Sequence, residues 1–565
     1  MLLHSSKFQW TLCAFFAGAL LFVYWPSFQG GFLMDDDIHL YNDPFIINPG
    51  GIFKIWFQPY HSAWPYWPVS RSSLWLEWRL WGENTTGYRL SNLFLHFLTG
   101  IVLWRSLRSI QMQGAFLSAL LFWFHPMQVE SVAWISQRRG LLADLLMLGM
   151  IWAYWNYEKS EKKLHYFASL GLFVLALLSK SSVITAPLLL ILSRFWLRKK
   201  FRLQNFLRLL PFFSVSLAKA YNEVFSSMGH QMSLDLKWSD HLLLATQTPF
   251  FYLKKFFLPY PLSFNYPKWD FSDNSWSLIL PAIFWITCLL FLLRLRRDWA
   301  SGLLLGIAAY LILIFPVTGI VGFGGMRYSY VADHWSLPAL IPICLLISRG
   351  LHRLFPSSKE TGILWKLGGI GAAVVIVGGD LSRNHAANFK DLAVLSRDTI
   401  AKNPSAWLSY YNLGYTQIKS DPSSALENFN RALAINPDYP LALNNRGLLL
   451  NRQGKYGQAF QDFNRAVELL PNHAKAYNNR GEAFFRLNRN REALSDFERA
   501  LQIEPNEAIY YSNIGSAHFR LGNFSQALAN YDQALSLNPM LAGISKNRSL
   551  VVRELERLAK ESKQE

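Results

Sequence analysis

The chain has 565 residues, of which 51% are hydrophobic and 16% aromatic, and it carries a formal net charge of +18. Apolar residues are concentrated before about residue 380, in blocks about 20 residues long, which is typical of an integral membrane protein. In such a protein the excess of Lys and Arg marks cytoplasmic loops, so the charge does not indicate nucleic-acid binding. The three cysteines, Cys13, Cys288 and Cys344, each lie within an apolar run and suggest neither a disulfide framework nor a metal site.

The predicted fold is all-α, and residues 1–385 are expected to form a membrane domain with about eleven spans. These spans are expected near residues 10–27, 90–107, 113–126, 140–157, 165–181, 182–197, 205–220, 276–294, 299–320, 335–350 and 364–380. Basic clusters alternate with less basic loops and are assigned to the cytoplasm. The amino terminus is then cytoplasmic, and a long first outer loop covers residues 28–89.

One apolar segment does not fit this alternation. Residues 242–262 are apolar enough to span, but they contain Pro249, Pro259 and Pro261 and two adjacent lysines. Counting them as a span would place the basic cluster at residues 294–297 outside. A re-entrant or interfacial segment is therefore preferred, although sequence alone leaves a full crossing open.

Three consecutive aspartates, Asp35, Asp36 and Asp37, directly follow the first predicted span. Adjacent like charges at a membrane boundary are costly unless they are solvated or used, so the run is a candidate for chemistry. Charged residues also commonly mark the end of a span. Both interpretations remain open at this point.

Further polar residues are expected in other outer loops. Pro126 suits the first turn of a helix, in which Glu130, Trp134 and Arg138 recur at spacing four and would share one face. An interfacial helix whose two arginines reach the lipid headgroups fits the same pattern. The remaining polar residues of these loops are His125, Arg139, Lys180, Arg327, Asp333 and His334.

Taken together, these loops predict a site for an anionic substrate at the outer membrane surface. A carboxylate of the first loop would act as a general base. Phosphate is the anion that a cluster of cations would hold, and the predicted cations are Arg138, Arg139, Lys180 and Arg327. This combination suggests a sugar donor linked to a lipid phosphate. No spacing predicts a metal site, and a requirement for a divalent metal stays open.

The carboxy-terminal part has a repeat of 34 residues. Within residues 403–540, prolines, alanines, aromatic residues and glycines recur in register over four repeats, for example Pro437, Pro471, Pro505 and Pro539. This is the tetratricopeptide pattern, in which paired helices stack into a solenoid whose concave surface commonly holds peptide. Residues 386–402 are assigned as a linker, and residues 541–565 as a helix that caps the stack.

Several motifs of the chain are similar to those of the transmembrane and tetratricopeptide repeat-containing O-mannosyltransferases and their bacterial relatives, which belong to the GT-C class of glycosyltransferases. These motifs are Phe32-Leu-Met-Asp-Asp-Asp with Asn42-Asp-Pro44, Leu80-Trp-Gly82, Gly87-Tyr-Arg-Leu-Ser-Asn-Leu-Phe-Leu-His96, His125-Pro-Met-Gln-Val-Glu-Ser-Val-Ala-Trp134, Leu178-Ser-Lys180 and Met326-Arg-Tyr-Ser. Their order and the attached repeats also fit this family.

The resemblance implies a transferase that moves mannose or another sugar from a polyprenyl-phosphate donor, of undecaprenyl or dolichyl type, to Ser or Thr hydroxyls of proteins. The reaction would invert the anomeric configuration. Asp35 and Asp36 align with the family's acidic pair, and Asp36 is the preferred base. Glu130, with His125, lies in the second acidic loop, and Asp37 is an additional acid. Lys180 and Arg327 would stabilise the leaving phosphate.

The resemblance also implies a location and leaves some roles uncertain. The enzyme would lie in a bacterial inner membrane with periplasmic repeats, or face the lumen of the endoplasmic reticulum in a eukaryote. Trp67 precedes Pro68, where bacterial relatives often carry Arg or His, and Arg71 is a substitute one turn later. Asp333 and His334 have no assigned role.

Two other functions are compatible with the sequence. The same chemistry could act on polysaccharide or lipid, with the repeats recruiting assembly partners. A membrane-anchored scaffold or a transporter without transferase activity is the other. Transporters usually bind their substrates near the middle of the membrane between broken helices, whereas the polar residues here cluster at the predicted outer edge.

Overall fold

A computed structural model describes residues 6–58, 66–197, 199, 202–228, 236–271, 276–295, 298–354 and 368–561. These residues form helices and connecting loops and contain no β-strand, in agreement with the predicted all-α class. The chain divides into two compact units, Met1–Asn403 and Pro404–Glu565.

The α-helices of the first unit are numbered in chain order. They are α1 (Ser6–Phe28), α2 (Pro44–Ile47), α3 (Gly51–Phe57), α4 (Pro68–Trp81), α5 (Thr85–Ser109), α6 (Ala115–Phe124), α7 (Val129–Ala133), α8 (Arg138–Ser160), α9 (Lys163–Leu177), α10 (Pro187–Trp196), α11 (Leu203–Met228), α12 (Trp238–Phe257), α13 (Trp276–Leu295), α14 (Asp298–Ile314), α15 (Leu337–Leu354), α16 (Gly379–Ala386) and α17 (Leu392–Lys402). The first predicted outer loop therefore contains three helices, α2 to α4, which pack on one another.

Four helices of the described chain are long and apolar enough to cross a membrane. They cover Trp10–Phe28, Thr85–Ser109, Ala300–Val317 and Leu337–Leu354. Shorter apolar helices cover Ala115–Phe124, Lys163–Leu177, Ser181–Trp196 and Leu278–Arg294. The count of eleven spans stays a prediction, and the expected span at residues 364–380 lies partly outside the described residues.

Close packing joins α5 to α6 in the centre of the first unit. Gly100 makes this contact possible, because a Cβ atom there would lie 2.0 Å from Nε1 of Trp123. The Trp123 indole donates a hydrogen bond of 3.1 Å to the carbonyl oxygen of Phe97, so the buried N–H has a partner. The separation of α5 and α6 is thereby fixed.

The segment at residues 242–262 is mostly helical. Helix α12 continues through Pro249 to Phe257, and the chain is non-helical from Leu258 onwards. The hydroxyl of Tyr310 in α14 donates a hydrogen bond of 2.5 Å to the Pro249 carbonyl oxygen. Neighbouring helices thus cover this part of the helix, as a proline-containing helix at membrane depth requires. Whether it crosses the membrane stays a prediction.

The residues after the last predicted span pack back on the first helix. Residues 368–390 form consecutive helical turns, with a π-helical turn at Val374–Gly378 and a kink at Phe389, and α17 follows. A Cβ atom on Gly30 would lie 2.2 Å from the carbonyl oxygen of Lys390, so this chain segment touches the beginning of the first loop. The predicted linker, residues 386–402, consists of a short 3-10 helix and α17.

The second unit is a stack of paired helices. Its members are α18 (Trp407–Gln417), α19 (Pro422–Ile435), α20 (Pro440–Arg452), α21 (Tyr456–Leu469), α22 (Ala474–Arg486), α23 (Asn490–Ile503), α24 (Ala508–Arg520), α25 (Phe524–Leu537) and a last helix α26 (Ile544–Glu561). In each pair a glycine of the first helix lies against the aromatic ring of the second, as Gly481 does against Phe497.

Charged side chains join the helices of the second and third pairs. Arg446 of α20 makes a bidentate ion pair with Asp462 of α21, with nitrogen to oxygen distances of 2.8 and 2.6 Å. Arg480 and Asp496 make the same contact 34 residues later, at 2.7 and 2.8 Å. Fork-shaped guanidinium contacts of this kind favour one orientation of the helix pair.

Candidate active site

The three aspartates occupy three different environments. Asp36 is fully buried, and its carboxylate accepts hydrogen bonds from the backbone N–H of Leu33 at 3.0 Å and from the N–H and hydroxyl of Ser136 at 2.9 and 2.5 Å. Burial raises the pKa of Asp36 to about 6, against the lowering effect of these hydrogen bonds and of the Arg89 charge. With both oxygens engaged, Asp36 holds the first loop in place.

Asp35 is half-buried and points elsewhere. Met34 adopts a left-handed backbone conformation, with φ of 48°, which turns the chain between Leu33 and the aspartates. The Asp35 carboxylate accepts no hydrogen bond from the described residues, and its charge acts on Arg139, Tyr328 and His334. The Asp35 carboxylate is thus open where that of Asp36 is enclosed, and Asp37 is exposed to solvent.

The segment from His125 to Arg139 is not the single helix expected from the spacing of its polar residues. Helix α7 ends at Ala133, Trp134 is extended with φ −93° and ψ 118°, and a 3-10 turn precedes α8. The prediction that Glu130, Trp134 and Arg138 share one helical face is wrong for this reason. The break frees the N–H of Ser136 for Asp36, while the Trp134 indole donates to the carbonyl oxygen of Leu33 at 3.2 Å.

The two adjacent arginines also differ. Arg138 is buried and donates hydrogen bonds to Asn92 at 2.5 Å, to Glu77 at 2.6 Å and to the carbonyl oxygen of Tyr88 at 2.9 Å. Its guanidinium joins α4, α5 and α8, which leaves little of it for a phosphate.

Arg139 is the more accessible candidate for an anion. Its guanidinium lies 4.7 Å above the ring of Trp67, and its buried Nε has no hydrogen-bond partner among the described residues. Asp35 and Asp36 are the acids whose charges act on it. A buried guanidinium N–H without an acceptor is costly, and a bound oxyanion would provide that acceptor.

Glu130 binds the loop that carries Asp333 and His334. Its carboxylate lies 2.8 Å from Nδ1 of His334 and accepts a 3.1 Å hydrogen bond from the His334 backbone N–H. Burial raises the pKa of Glu130, against the lowering effect of the His334 N–H and the Lys180 charge. The hydroxyl of Tyr266 donates to Asp333 at 3.0 Å. These acids are engaged with protein partners and hold the loop in position.

Lys180 lies between this loop and helix α8. Its ammonium is 3.4 Å from the carbonyl oxygen of His334, and the charges of Arg139, Asp144 and Glu130 act on it. Burial, followed by the Arg139 charge, lowers the pKa of Lys180 to about 7. The ammonium packs beside Gly140 of α8, where a Cβ atom would lie 3.4 Å from the nitrogen, an ordinary van der Waals contact.

The remaining predicted residues lie at the margin or serve packing. His125 accepts from the N–H of Met127 at 3.3 Å, is 3.0 Å from the carbonyl oxygen of Phe256 and stacks on that ring, so both of its nitrogens are used. Arg327 is exposed and contacts Tyr328, on which the Asp35 charge also acts. Arg71 forms an ion pair of 2.5 Å with Asp43.

A cavity of about 140 Å³ adjoins Arg139 on the side of the first loop. Its lining residues are Ile38, His39, Asn42, Asp43, Trp67, Ser70, Arg71, Leu74, Ser136, Arg138 and Arg139. Burial and the charges of Arg139 and Arg71 lower the pKa of His39 to about 3, so this ring is neutral. Arg71 and Arg138 of this lining are paired with Asp43 and Glu77, so Arg139, beside a neutral histidine, is the guanidinium that suits an anionic group in the cavity.

Four residues of the site were not predicted. On α5, Arg89 donates to the carbonyl oxygens of Gly30 and Gly31 at 2.5 and 2.6 Å, and Asn92 donates to those of Val132 and Trp134 at 3.2 and 3.1 Å. The others are Ser136 and Asp144. Polar residues at one helical face within an apolar span are the signal for Arg89 and Asn92, and a lone carboxylate in a span is the signal for Asp144.

The structure thus brings five of the predicted residues into one electrostatic cluster. Asp35, Arg139, Lys180, Glu130 and His334 act on one another through the interactions described above. Arg327 contacts Tyr328, on which the Asp35 charge acts. Asp36 and Arg138 instead make hydrogen bonds that hold the first loop and helix α8 in place.

The tetratricopeptide repeat family matches residues 438–503 and residues 508–541. The carboxy-terminal repeats expected from the 34-residue period are therefore present. Among solved structures, the chain is similar to a crystal structure of the MamA protein, with 20% identity, 26% of this chain and 81% of that chain covered, and a TM-score of 0.24. It is also similar to the first tetratricopeptide domain of Spaghetti (RPAP3) bound to an HSP90 peptide, with 26% identity, 21% and 93% coverage, and a TM-score of 0.20.

The chain is also similar to curated proteins named as transferases. Protein O-mannosyl-transferase F38B6.6 of Caenorhabditis elegans is 25% identical over 141 residues, which cover 23% of this chain and 20% of that protein. Human Protein O-mannosyl-transferase TMTC1 is 33% identical over 162 residues, covering 26% of this chain and 18% of that protein. The chain spans about a fifth of the length of these relatives. The expected resemblance to the TMTC-type O-mannosyltransferases is thus confirmed over about a quarter of the chain.

Proposed function

We propose that this protein is a membrane glycosyltransferase that moves a sugar from a polyprenyl-phosphate donor to hydroxyl groups of a protein acceptor. The main support is the pairing of an aspartate and an arginine that are close but not hydrogen-bonded. Asp35 has a carboxylate without a donor among the described residues, and the neighbouring Arg139 has a buried Nε without an acceptor. A base for the acceptor and a cation for the leaving group are the two parts that this reaction needs.

In the proposed reaction, the acceptor hydroxyl oxygen attacks the anomeric carbon as the bond from that carbon to the phosphate oxygen breaks. Asp35 takes the hydroxyl proton, and the electron pair of the broken bond leaves with the lipid phosphate. A single displacement of this kind inverts the anomeric configuration. Arg139 and Lys180 stabilise the charge that develops on the phosphate, because the Asp35 charge acts on Arg139 and the Arg139 charge acts on Lys180.

The general base in this proposal is Asp35. The sequence alone favours Asp36. A base must reach the proton that it removes, and Asp36 is enclosed by the N–H groups of Leu33 and Ser136. Arg138 likewise changes from a phosphate ligand to a residue that positions α8, since Asn92, Glu77 and the Tyr88 carbonyl occupy its guanidinium.

The relatives named as protein O-mannosyl-transferases and the tetratricopeptide repeats support a protein acceptor. We place the reaction at the outer face of a multi-pass membrane protein, with the repeats on the same side. The donor sugar is mannose or another monosaccharide on an undecaprenyl or dolichyl carrier.

The experiment is to express the chain in cell membranes beside its Asp35→Asn and Asp37→Asn variants and to search exported proteins for added sugar by mass spectrometry. The exposed Asp37 is the matched control, because it is an aspartate of the same loop whose side chain faces solvent. We expect added sugar with the unchanged chain and with Asp37→Asn, and none with Asp35→Asn.

Two results would contradict the proposal in different ways. Equal sugar occupancy in all three strains would remove Asp35 from the reaction. Sugar that appears on polysaccharide or lipid, and not on protein, would replace the protein acceptor with the second kind of acceptor. If no strain adds sugar to protein, polysaccharide or lipid, the transferase proposal fails and the interpretation as a membrane-anchored scaffold replaces it.

A further inference from the structure

The charges of the second unit are unevenly divided between its two sets of helices. The first helices of the four repeats, α18, α20, α22 and α24, carry six Lys or Arg residues and one acid: Arg446, Arg452, Lys475, Arg480, Arg486, Arg520 and Glu482. The second helices, α19, α21, α23 and α25, carry more acids than bases. The positive charge of this unit is therefore concentrated on the first helices.

The first helices lie on the inner side of the stack. Helix α20 contacts α22, and α22 contacts α24, although a second helix separates each pair in sequence. The Asn479 amide of α22 donates to Asn444 of α20 at 2.9 Å, and that of Asn513 donates to Asn478 at 2.8 Å. Helices on the inner side of such a solenoid form its binding surface, so this surface is the positively charged one.

Several of these cations are not used by the fold. Asp462 and Asp496 bind Arg446 and Arg480, as described above. Arg452 and Lys475 have no ion-pair partner among the described residues, and the Arg486 partner is only the exposed Glu482 of its own helix, at 2.8 Å. Exposed pairs of this kind contribute little and are readily exchanged for another carboxylate.

Two of the arginines frame a pocket of about 350 Å³ between the third and fourth repeats. Phe485, Arg486 and Arg520 line it with Asn513 and Ser516, and so does Glu482, the acid that pairs with Arg486. The Arg520 guanidinium lies 5.5 Å above the Phe485 ring, which fixes its position. Arg486 already holds the Glu482 carboxylate in an exposed pair, and Arg520 has no ion-pair partner among the described residues, so the two guanidiniums can together take the carboxylate of a ligand.

The positions of the arginines also indicate the length of the ligand. Arg452, Arg486 and Arg520 are the last residues of α20, α22 and α24, so they recur once per repeat. A cation at the end of a helix also interacts favourably with the helix dipole, and this alone could account for the three arginines. The helix dipole does not account for the pocket or for the charge difference between the two sets of helices. A small anion would meet one arginine, whereas an extended chain would meet several.

We infer that the inner surface of the repeats binds an extended, acidic segment of a polypeptide, with one carboxylate in the pocket between Arg486 and Arg520. The bound segment would belong to the protein acceptor, and this role rests on the proposed function. The binding itself does not. Acidic segments poor in apolar residues remain extended, so they present carboxylates along a groove.

The test is fluorescence anisotropy of a labelled peptide with the full chain in detergent. The peptide has about 20 residues, which is long enough to extend over two repeats, and contains Ser, Thr and several Glu. Its matched control has Gln at each Glu. The variant Arg486→Ala with Arg520→Ala removes the pocket cations, and Arg491→Ala with Arg499→Ala removes two exposed arginines of the second helix α23.

We expect the Glu peptide to bind about tenfold more tightly than the Gln peptide, and salt to weaken this preference. The pocket variant should lose the preference, whereas the α23 variant should keep it. Equal affinity for the two peptides, or equal behaviour of the two variants, would overturn the inference. Tighter binding of a uronic-acid polysaccharide at the same arginines would overturn the choice of a polypeptide.

Binding and transfer can fail separately. Asp35→Asn should leave peptide affinity unchanged while it abolishes transfer. If peptide binding depends on Arg486 and Arg520 but no transfer is found in any variant, the proposed function fails and the acidic-peptide surface stands. If transfer depends on Asp35 but the peptides bind equally, the surface fails and the proposed function stands.

Discussion

Neighbouring residues of the same type have different roles in this site because of what surrounds them. Asp35 and Asp36 differ by one position, yet one carboxylate is open and the other accepts three hydrogen bonds. Arg138 and Arg139 differ in the same way, since protein groups occupy the first and leave Nε of the second without a partner. In both pairs the enclosed residue, Asp36 or Arg138, is hydrogen-bonded to protein groups and so fixes the backbone next to the accessible one.

The first prediction concerns stability at these aspartates. Asp36→Asn places an amide N–H against the donors of Leu33 or Ser136, so we expect a loss of about 1–3 kcal/mol in the free energy of unfolding. Asp35→Asn removes a charge without removing a hydrogen bond to the described residues and should change stability little. Thermal unfolding of the detergent-solubilised variants measures this difference. Equal destabilisation by both would contradict the different roles of the two carboxylates.

The second prediction concerns pH and Lys180. Because the pKa of Lys180 is lowered to about 7, its ammonium is present at lower pH and is lost as pH rises through that value. Asp144 and Glu130 face it and oppose this loss, but burial and Arg139 outweigh them. We expect affinity for a polyprenyl-phosphate sugar to fall about tenfold between about pH 6 and about pH 8.5.

The matched variant for this measurement is Lys180→Arg. A guanidinium stays protonated throughout this range, so the variant should lose less affinity for the donor than the unchanged chain does. The loss that remains in the variant is expected from Glu130, whose raised pKa lets it become charged in the same range. An identical decline in both proteins would assign the pH dependence to another group.

At the level of elements, the breaks between helices are as important for the site as the helices. The extended residue Trp134 separates α7 from α8, and the left-handed Met34 turns the chain before the aspartates. Each break directs a backbone N–H, of Ser136 or of Leu33, towards Asp36. The loops are thus fastened to one another before any substrate binds.

The third prediction concerns packing within a repeat. Gly481→Ala would place a Cβ atom 2.7 Å from the Phe497 ring, so we expect the second unit to lose about 1–3 kcal/mol of stability. Gly457 in α21 has no neighbour within 4 Å of such an atom. Gly457→Ala should therefore be neutral or stabilise by about 0.5–1 kcal/mol. Temperature-dependent proteolysis of the second unit in the full chain compares them, and a loss from Gly457→Ala equal to that from Gly481→Ala would be contrary to this packing.

The repeats could be predicted from sequence because their period places identical residues in identical contacts. Gly481 meets Phe497 through local geometry that every repeat shares. The roles of Asp35 and Asp36 could not be predicted, because burial depends on Met34 and on Ser136, which is 100 residues away. Spacing alone also extends a helix through Trp134, where a tertiary hydrogen bond to Leu33 favours an extended backbone.

At the level of the whole molecule, the proposed reaction requires its loops to lie on one side of a membrane. Asp35, Arg139, Lys180 and His334 come from four separate loops or helix ends and meet in one cluster. Only helices that return the chain repeatedly to the same side can bring them together. Four helices of sufficient length and hydropathy are present in the described chain, with shorter apolar helices between them.

The fourth prediction concerns this topology. Single cysteines at Asp37 and Asp270 should react with a membrane-impermeant maleimide added outside, and one at Lys162 should not, because it lies in a predicted cytoplasmic loop. All three positions are exposed, so burial does not account for a difference. The native cysteines Cys13 and Cys344 are buried, and Cys288→Ser removes the third from the background. Labelling at Lys162 from outside, or at Asp270 only after the membrane is opened, would contradict the predicted orientation.

The most direct measurement is the rate of sugar transfer by the purified protein from a labelled polyprenyl-phosphate sugar to an acceptor peptide. Asp35→Asn and Asp37→Asn should be compared with the unchanged chain at equal amounts of folded protein. Loss of a positioned general base predicts a rate about 10²–10⁴-fold lower for Asp35→Asn, with Asp37→Asn close to the unchanged chain. Transfer at the full rate by Asp35→Asn would contradict the assignment of Asp35 as the base.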